Sequence, residues 1–145
     1  MNFICKKFSE LSTIELYEIL KARSQIFIVE KKMNCQDMDG VDLKATHFFI
    51  EQDGKVLAYL RAFYTDDSKT VVKIGRVLSI THGIGLGVEI MRKAMEYIKQ
   101  NMKCQKIYID SQKHAIGFYE KFGFKVVSDE FLEEGIMHVK MEKDV

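Results

Sequence analysis

Apolar positions recur along this chain with two different periods, and the changes of period mark out its elements. A run from Asn2 to Phe8 reads as a first strand. Ser12 followed by Glu15 is a capping-box pair, so a helix is expected from Thr13. Ile14, Tyr17, Leu20, Ser24, Phe27 and Ile28 recur at helical spacing, Leu16 and Ile19 widen the stripe, and Ile26 to Val29 turns strand-like. Lys31 to Lys44 is polar and acidic, a loop with Asp37, Asp39, Gly40 and Asp42. Thr46 to Gln52 and Val56 to Tyr64 are β-rich runs joined by the tight-turn dipeptide Asp53-Gly54. After a turn at Asp66-Asp67-Ser68-Lys69, Val71 to Ile80 completes three antiparallel neighbours. Val88, Met91, Met95, Ile98 and Met102 then repeat at offsets of three and four, an amphipathic helix. Lys106 to Asp110 is strand-like, Lys113 to Phe122 helical with Gly123 as C-cap, and Phe124 to Phe131 and Ile136 to Met141 are the last strands. The order β-α-β-β-β-α-β-α-β-β predicts an α/β fold over residues 1–145: one mixed, mostly antiparallel sheet flanked by helices, in a single domain.

Composition removes several classes of function. The chain has 145 residues, 47% of them hydrophobic, enough for one core. Lys+Arg at 22 against Asp+Glu at 21 gives a net charge of +1, so no global field favours nucleic acid or an acidic membrane. No apolar stretch has the length of a membrane span, and Met1 is not followed by a signal-peptide pattern, so a cytoplasmic protein is expected. Cys5, Cys35 and Cys104 lack CxxC spacing and read as small buried hydrophobes. The histidines, His47, His82, His114 and His138, lack metal-ligand spacing, and no metal is expected. An EF-hand is excluded because Cys35 and Thr46 stand where ligating acids belong.

Gly83-Ile84-Gly85-Leu86-Gly87 lies between the strand ending at Ile80 and the helix of Val88. Side-chain-free backbone there leaves the helix's unpaired first-turn N–H groups and positive dipole end facing outward, which suits phosphate. A P-loop would need a Lys-Ser or Lys-Thr pair after the glycines; Lys69-Thr70 lies upstream without them. A dinucleotide fingerprint needs GxGxxG opening a βαβ unit, whereas GxGxG here follows an antiparallel meander.

In this loop, in the run from His114 to Phe124, and in element order, the chain resembles the GNAT superfamily of acyl-CoA-dependent N-acyltransferases over nearly its whole length. The family's pyrophosphate loop is Arg or Gln, two residues, then GxG. Here it reads His82-Gly83-Ile84-Gly85-Leu86-Gly87, with His82 in the Arg or Gln place and a shortened approach through Ile80-Thr81. The later segment, an Asn three residues before Ala-Ile-x-Phe-Tyr-Glu-Lys-x-Gly-Phe, runs here from Gln112 to Phe124. Arg23, Val29-Glu30, Gln36 to Gly40, His47, Arg61, Gly75-Arg76-Val77 and Glu134 to His138 resemble the ElaA-like branch, as does Gln112.

The resemblance implies acetyl-CoA as cofactor, with an acetyl group passed directly to a primary amine of a small molecule or protein. It implies that Val77, Leu78 and Ser79 pair with the pantetheine arm. His82, Gly83, Ile84, Gly85, Leu86, Gly87 and Val88 would hold the pyrophosphate, with Gln112 and Tyr119 beside the cofactor. Transfer from a thioester needs an unprotonated amine, donors to the oxyanion and a proton for the thiolate. A bulge at the pantetheine strand would free amides for the oxyanion, and Tyr119 is a phenol able to protonate the thiolate. Glu30 and His138 are put forward as general base, with Asp37, Asp39 and Asp42 beside them; the acidic loop can equally attract a cationic amine.

Blander readings stand beside each of these. The glycines can form a flexible turn, and Tyr119 can be core, as Phe118, Phe122 and Phe124 are expected to be. Arg61 and Arg76 are edge residues or, if buried, members of an acidic network. His47 and His138 fit structural hydrogen-bonding roles, and Lys31-Lys32 a solvated helix end. The competing whole-molecule readings are an acyl-CoA-binding regulatory or interaction domain without turnover, and a nucleotide-binding domain. Monomer and homodimer are both left open.

Overall fold

A computed structural model of the chain describes every residue from Met1 to Val145. The strands are β1 Asn2–Lys7, β2 Thr46–Gln52, β3 Lys55–Tyr64, β4 Val71–Ser79, β5 Lys106–Gln112, β6 Lys125–Val126, β7 Phe131–Glu133 and β8 Ile136–Asp144. The helices are α1 Thr13–Arg23, α2 Leu86–Asn101 and α3 Ile116–Glu120. One sheet runs in the order β1-β2-β3-β4-β5-β8-β6, with β7 also paired to β8. The expected strand from Phe124 to Phe131 is split in two. The Ser128 hydroxyl accepts the Lys140 backbone N–H at 2.8 Å, taking the place of a ladder carbonyl between β6 and β7.

The capping box at α1 forms in full: Ser12 Oγ accepts from the Glu15 N–H at 3.0 Å, and Glu15 Oε1 from the Ser12 N–H at 2.8 Å. The buried stripe differs from the expected one. Ile14 and Tyr17 are exposed, and Ile19, Ala22, Arg23, Ile26 and Phe27 face the sheet. The backbone widens through Ser24–Glu30 into π-type turns, with the Lys31 N–H donating to the Ile26 carbonyl at 3.0 Å. That extra width carries the strand-like Ile26-Phe27 pair inward. On α2 the buried face is Leu86, Ile90, Met91, Ala94 and Ile98, while Val88 is exposed. Cys5, Cys35 and Cys104 are half-buried free thiols, not members of the closed core.

One core layer packs beneath α2 and includes Val72, Ile74, Ile107, Ile109, Tyr119 and Phe124; the other lies beneath α1 and includes Phe49, Tyr59 and Leu78. Val72, Ile74 and Leu78 share a parity along β4, yet Leu78 faces the opposite layer. The register supplies the reason: Arg61 pairs with Gly75 but Tyr59 with Leu78, so two steps of β3 match three of β4. One residue is extra at Arg76-Val77, and Arg76 sits at φ 53°, a left-handed backbone that a non-glycine residue adopts only when held. A one-residue slip turns every later side chain over.

β4 and β5 are the sheet's parallel pair, and their ladder ends early, from Val71↔Lys106 to Ile74↔Ile109. Beyond it Gly75–Ser79 and Asp110–Gln112 run without pairing to each other. The sheet therefore opens at its middle, directly beside the bulge.

Candidate active site

The opening is a cavity of about 970 Å³ that runs from the N-terminus of α2, past the bulged edge of β4, to the end of β8. Gly85 is the N-cap of α2 at φ 78° and Gly83 lies at φ 83°, both in the left-handed region where glycine carries no Cβ penalty. A Cβ on either would meet nothing within 4 Å, so the space over the helix N-terminus is open. Gly87 serves differently: a Cβ there would touch the Phe118 ring at 3.5 Å, so it permits close approach between α2 and the turn that carries Tyr119.

Of the residues expected at a cofactor, Val77, Leu78, Ser79, His82, Gly83, Gly85, Leu86, Gly87, Val88, Gln112 and Tyr119 all line the cavity. Ile84 does not, and its side chain is 55% exposed. Val88, expected in the core stripe of α2, stands on the cavity side instead.

Tyr119 is buried within an aromatic group, edge-on to Phe118 and Phe124 at ring separations of 5.1 and 6.2 Å. It is core and cavity wall at once. Burial alone pushes its phenol pKa up. The phenol stays protonated at neutral pH, as a proton donor to a thiolate must be.

Glu30 and His138 also reach the cavity. His138 is buried on β8 and stacked on Phe131 at 5.9 Å. Its Nδ1 lies 2.8 Å from the Ile136 carbonyl, which can only accept, so Nδ1 carries a hydrogen. Nε2 lies 3.7 Å from Glu133 Oε2. His47, by contrast, is enclosed between the Tyr59 hydroxyl at 2.7 Å and the Asp42 carbonyl at 2.9 Å, and burial pushes its pKa down. It is a structural histidine.

The three aspartates of the Lys31–Lys44 loop are not free. Asp37 accepts from Arg23 Nε at 3.1 Å and Arg76 Nε at 2.9 Å. Asp42 accepts from Arg23 Nη1 at 2.7 Å and Arg61 Nη1 at 2.9 Å. Asp39 takes Arg61 through two nitrogens at 2.9 and 2.7 Å, a bidentate pair. Burial pushes Asp39 up, but Arg61 outweighs it and holds the carboxyl at about 2. Such carboxylates are poor bases. They pin the loop to α1, β3 and β4, and the Asp37–Arg76 contact grips the residue that makes the bulge. Arg61 is only 3% exposed, and its remaining donor, Nε, has no partner; Gly75 opposite leaves it room.

Sequence reasoning did not single out Lys31, Lys73, Asp110 or Glu133 as cavity residues, whereas Glu134 lies in a segment that the resemblance had marked. Lys31, expected as part of a solvated helix end, is half-buried and donates to Gln112 Oε1 at 3.0 Å across the cleft. Lys73 lies 2.9 Å from Asp110 Oδ2, and the Tyr108 hydroxyl donates to the same carboxylate. A charged residue inside each of two strand runs, Lys73 between Val72 and Ile74 and Asp110 after Ile107-Tyr108-Ile109, was the available signal.

No group of three or more His, Cys, Asp or Glu side chains is arranged to hold a metal ion, and no helix is long and apolar enough to cross a membrane. The family model described as "Acetyltransferase (GNAT) domain" matches residues 21–145. A UPF0039 protein of Schizosaccharomyces pombe is 35% identical over 149 residues, covering 100% of this chain and 98% of that one. ElaA of Escherichia coli is 34% identical over 141 residues, covering 94% and 92%, and its crystal structure superposes with a TM-score of 0.91 over 98% of both chains. An acyl-CoA N-acyltransferase from Pseudomonas aeruginosa superposes with a TM-score of 0.90 at 33% identity over 99% of both chains. The split β4/β5 pair, the glycine N-cap over it and these full-length likenesses together show that the chain belongs to the GNAT acetyltransferase family, in its ElaA-like branch.

Proposed function

We propose that this protein moves an acetyl group from acetyl-CoA to a primary amine by direct attack, without a covalent enzyme intermediate and without a metal. One observation carries this reading: a single cavity joins an open helix N-terminus, an unpaired bulged strand edge, a buried phenol and a histidine whose Nδ1 is held by a backbone carbonyl. Those are the parts that the transfer requires.

The pyrophosphate lies over Gly83–Gly87, where first-turn N–H groups and the helix dipole favour anions. The pantetheine arm pairs with the free edge of Val77–Ser79, extending the sheet as a strand would. Amides turned out by the bulge at Arg76-Val77 polarise the thioester carbonyl. The amine loses its proton to His138 Nε2, directly or through a water, and Glu133 steadies the charge that results. Nitrogen attacks the carbonyl carbon, the C–S bond breaks, and Tyr119 supplies the proton to the thiolate. Glu30 and Glu134, both on the cavity wall, favour a cationic acceptor at the mouth.

Thiol release from acetyl-CoA, measured across a panel of small amines and peptides, tests this directly. Turnover with at least one amine is expected, falling by about 10²-fold or more in Tyr119→Phe with the acetyl-CoA dissociation constant nearly unchanged. Tight CoA binding without turnover, indifferent to Tyr119→Phe, would instead establish the regulatory binding module.

A further inference from the structure

Two lysines line the cavity, and they differ in what holds their charge. Lys73 has an ionic partner, the Asp110 carboxylate at 2.9 Å. Lys31 leaves the wide turn that follows α1 and reaches to the end of β5. There Nζ donates to the neutral carbonyl oxygen of Gln112 at 3.0 Å. Nζ also lies over the Phe27 ring, 5.7 Å from its centroid, a weak cation–π contact that is the one feature favouring its charge besides Glu30. Burial lowers its pKa, and the charge of Glu30 offsets only part of that. An amine without an ionic partner, fixed inside the donor's cavity beside Gln112, meets the requirements of an acceptor.

We infer that Lys31 is itself an acyl acceptor, a self-acylation site whose Nζ takes the acyl group from the acyl-CoA held in the same cavity. The inference rests on the acyl-CoA reading above. The neutral Nζ attacks the thioester carbonyl carbon, a C–N bond forms and the C–S bond breaks. One proton leaves nitrogen and one is gained by sulfur, giving an amide and free CoA with no further reactant. The product keeps an N–H toward Gln112, loses the positive charge and adds bulk to the acceptor side of the cleft. Acylated protein therefore transfers more slowly to free amines.

The test is a time course of the full chain with acetyl-CoA and no added amine, read by peptide mass spectrometry, with a calorimetric CoA titration on the same preparation. Acetyl on Lys31 is expected to accumulate on the order of tenfold faster than on the exposed Lys99 and Lys103, because the amine and thioester share one site. Excess CoA slows it, and Tyr119→Phe slows it. Gln112→Glu supplies a carboxylate that holds the ammonium, so Lys31 acetylation falls about tenfold at neutral pH and its rate rises only at higher pH. Equal labelling of Lys31 and the exposed lysines, or labelling indifferent to excess CoA, in a preparation that binds CoA overturns the inference and leaves the acyl-CoA reading standing. Failure to bind CoA at all overturns both.

Discussion

Arg23 shows how a single residue can mislead a pattern and then explain it. It occupies the sheet-facing side of α1 with no exposed surface, a place where an aliphatic side chain would be expected. A buried guanidinium is costly unless carboxylates offset its charge, and Arg23 has Asp42 and both the carboxylate and carbonyl of Asp37. Asp39 does the same service for Arg61, and its titration is measurable. Its folded-state pKa is depressed from 3.8 to about 2, so its contribution to stability is complete above 3.8 and is lost as the pH falls through about 2. Asp39→Asn should cost about 1–2 kcal/mol at neutral pH, less than a fully buried pair because the carboxylate is partly exposed. Urea unfolding midpoints of the two proteins should converge as the pH drops across that window. Parallel curves would show that Asp39 does not stabilise through its charge.

At the scale of elements, the proposed cofactor site divides between the N-terminus of α2 and the bulge in β4. The helix end offers charge complementarity and the bulge offers amides, and each can be perturbed separately. His82 is exposed at the cavity rim, so a carboxylate there leaves packing untouched and complements the helix dipole. His82→Glu is expected to keep or slightly raise the melting temperature while weakening CoA binding about tenfold, about 1.4 kcal/mol. The loss should be larger at low salt. Unchanged affinity would move the anion site away from this helix. Both elements were partly legible in the sequence. The glycine run announced itself by chemistry, since few arrangements other than an anion cradle need backbone bare at a helix start. The bulge was raised by the family resemblance alone; in the residues themselves Leu78 is apolar on the same parity as Ile74, which looks like an ordinary buried strand. The split between β6 and β7 left less still, because a serine side chain replaces a backbone partner there.

For the whole molecule, element order and sheet type were readable from periodicity in the strands and α2, and from the capping box at α1, whose own stripe is irregular. The cavity wall was readable where local backbone chemistry makes it, at Gly83, Gly85 and Gly87, and where a motif carries it, at Tyr119. It was not readable where residues far apart in sequence converge. Lys31 meets Gln112 across 81 positions, and the Arg–Asp network joins α1, β3, β4 and one loop. No spacing rule records such a meeting; only an unexplained charge on an apolar strand hints at it. The family places this chain among acyltransferases, and the cavity through the split sheet is the location proposed for that activity. Hydrogen exchange with and without CoA reads the backbone amides that would hold it. CoA should slow exchange at Gly83–Val88 and at Val77–Ser79 while ATP and NAD leave both segments unchanged. Protection confined to other segments, or equal protection by ATP or NAD, would contradict an acyl-CoA site at the split between β4 and β5.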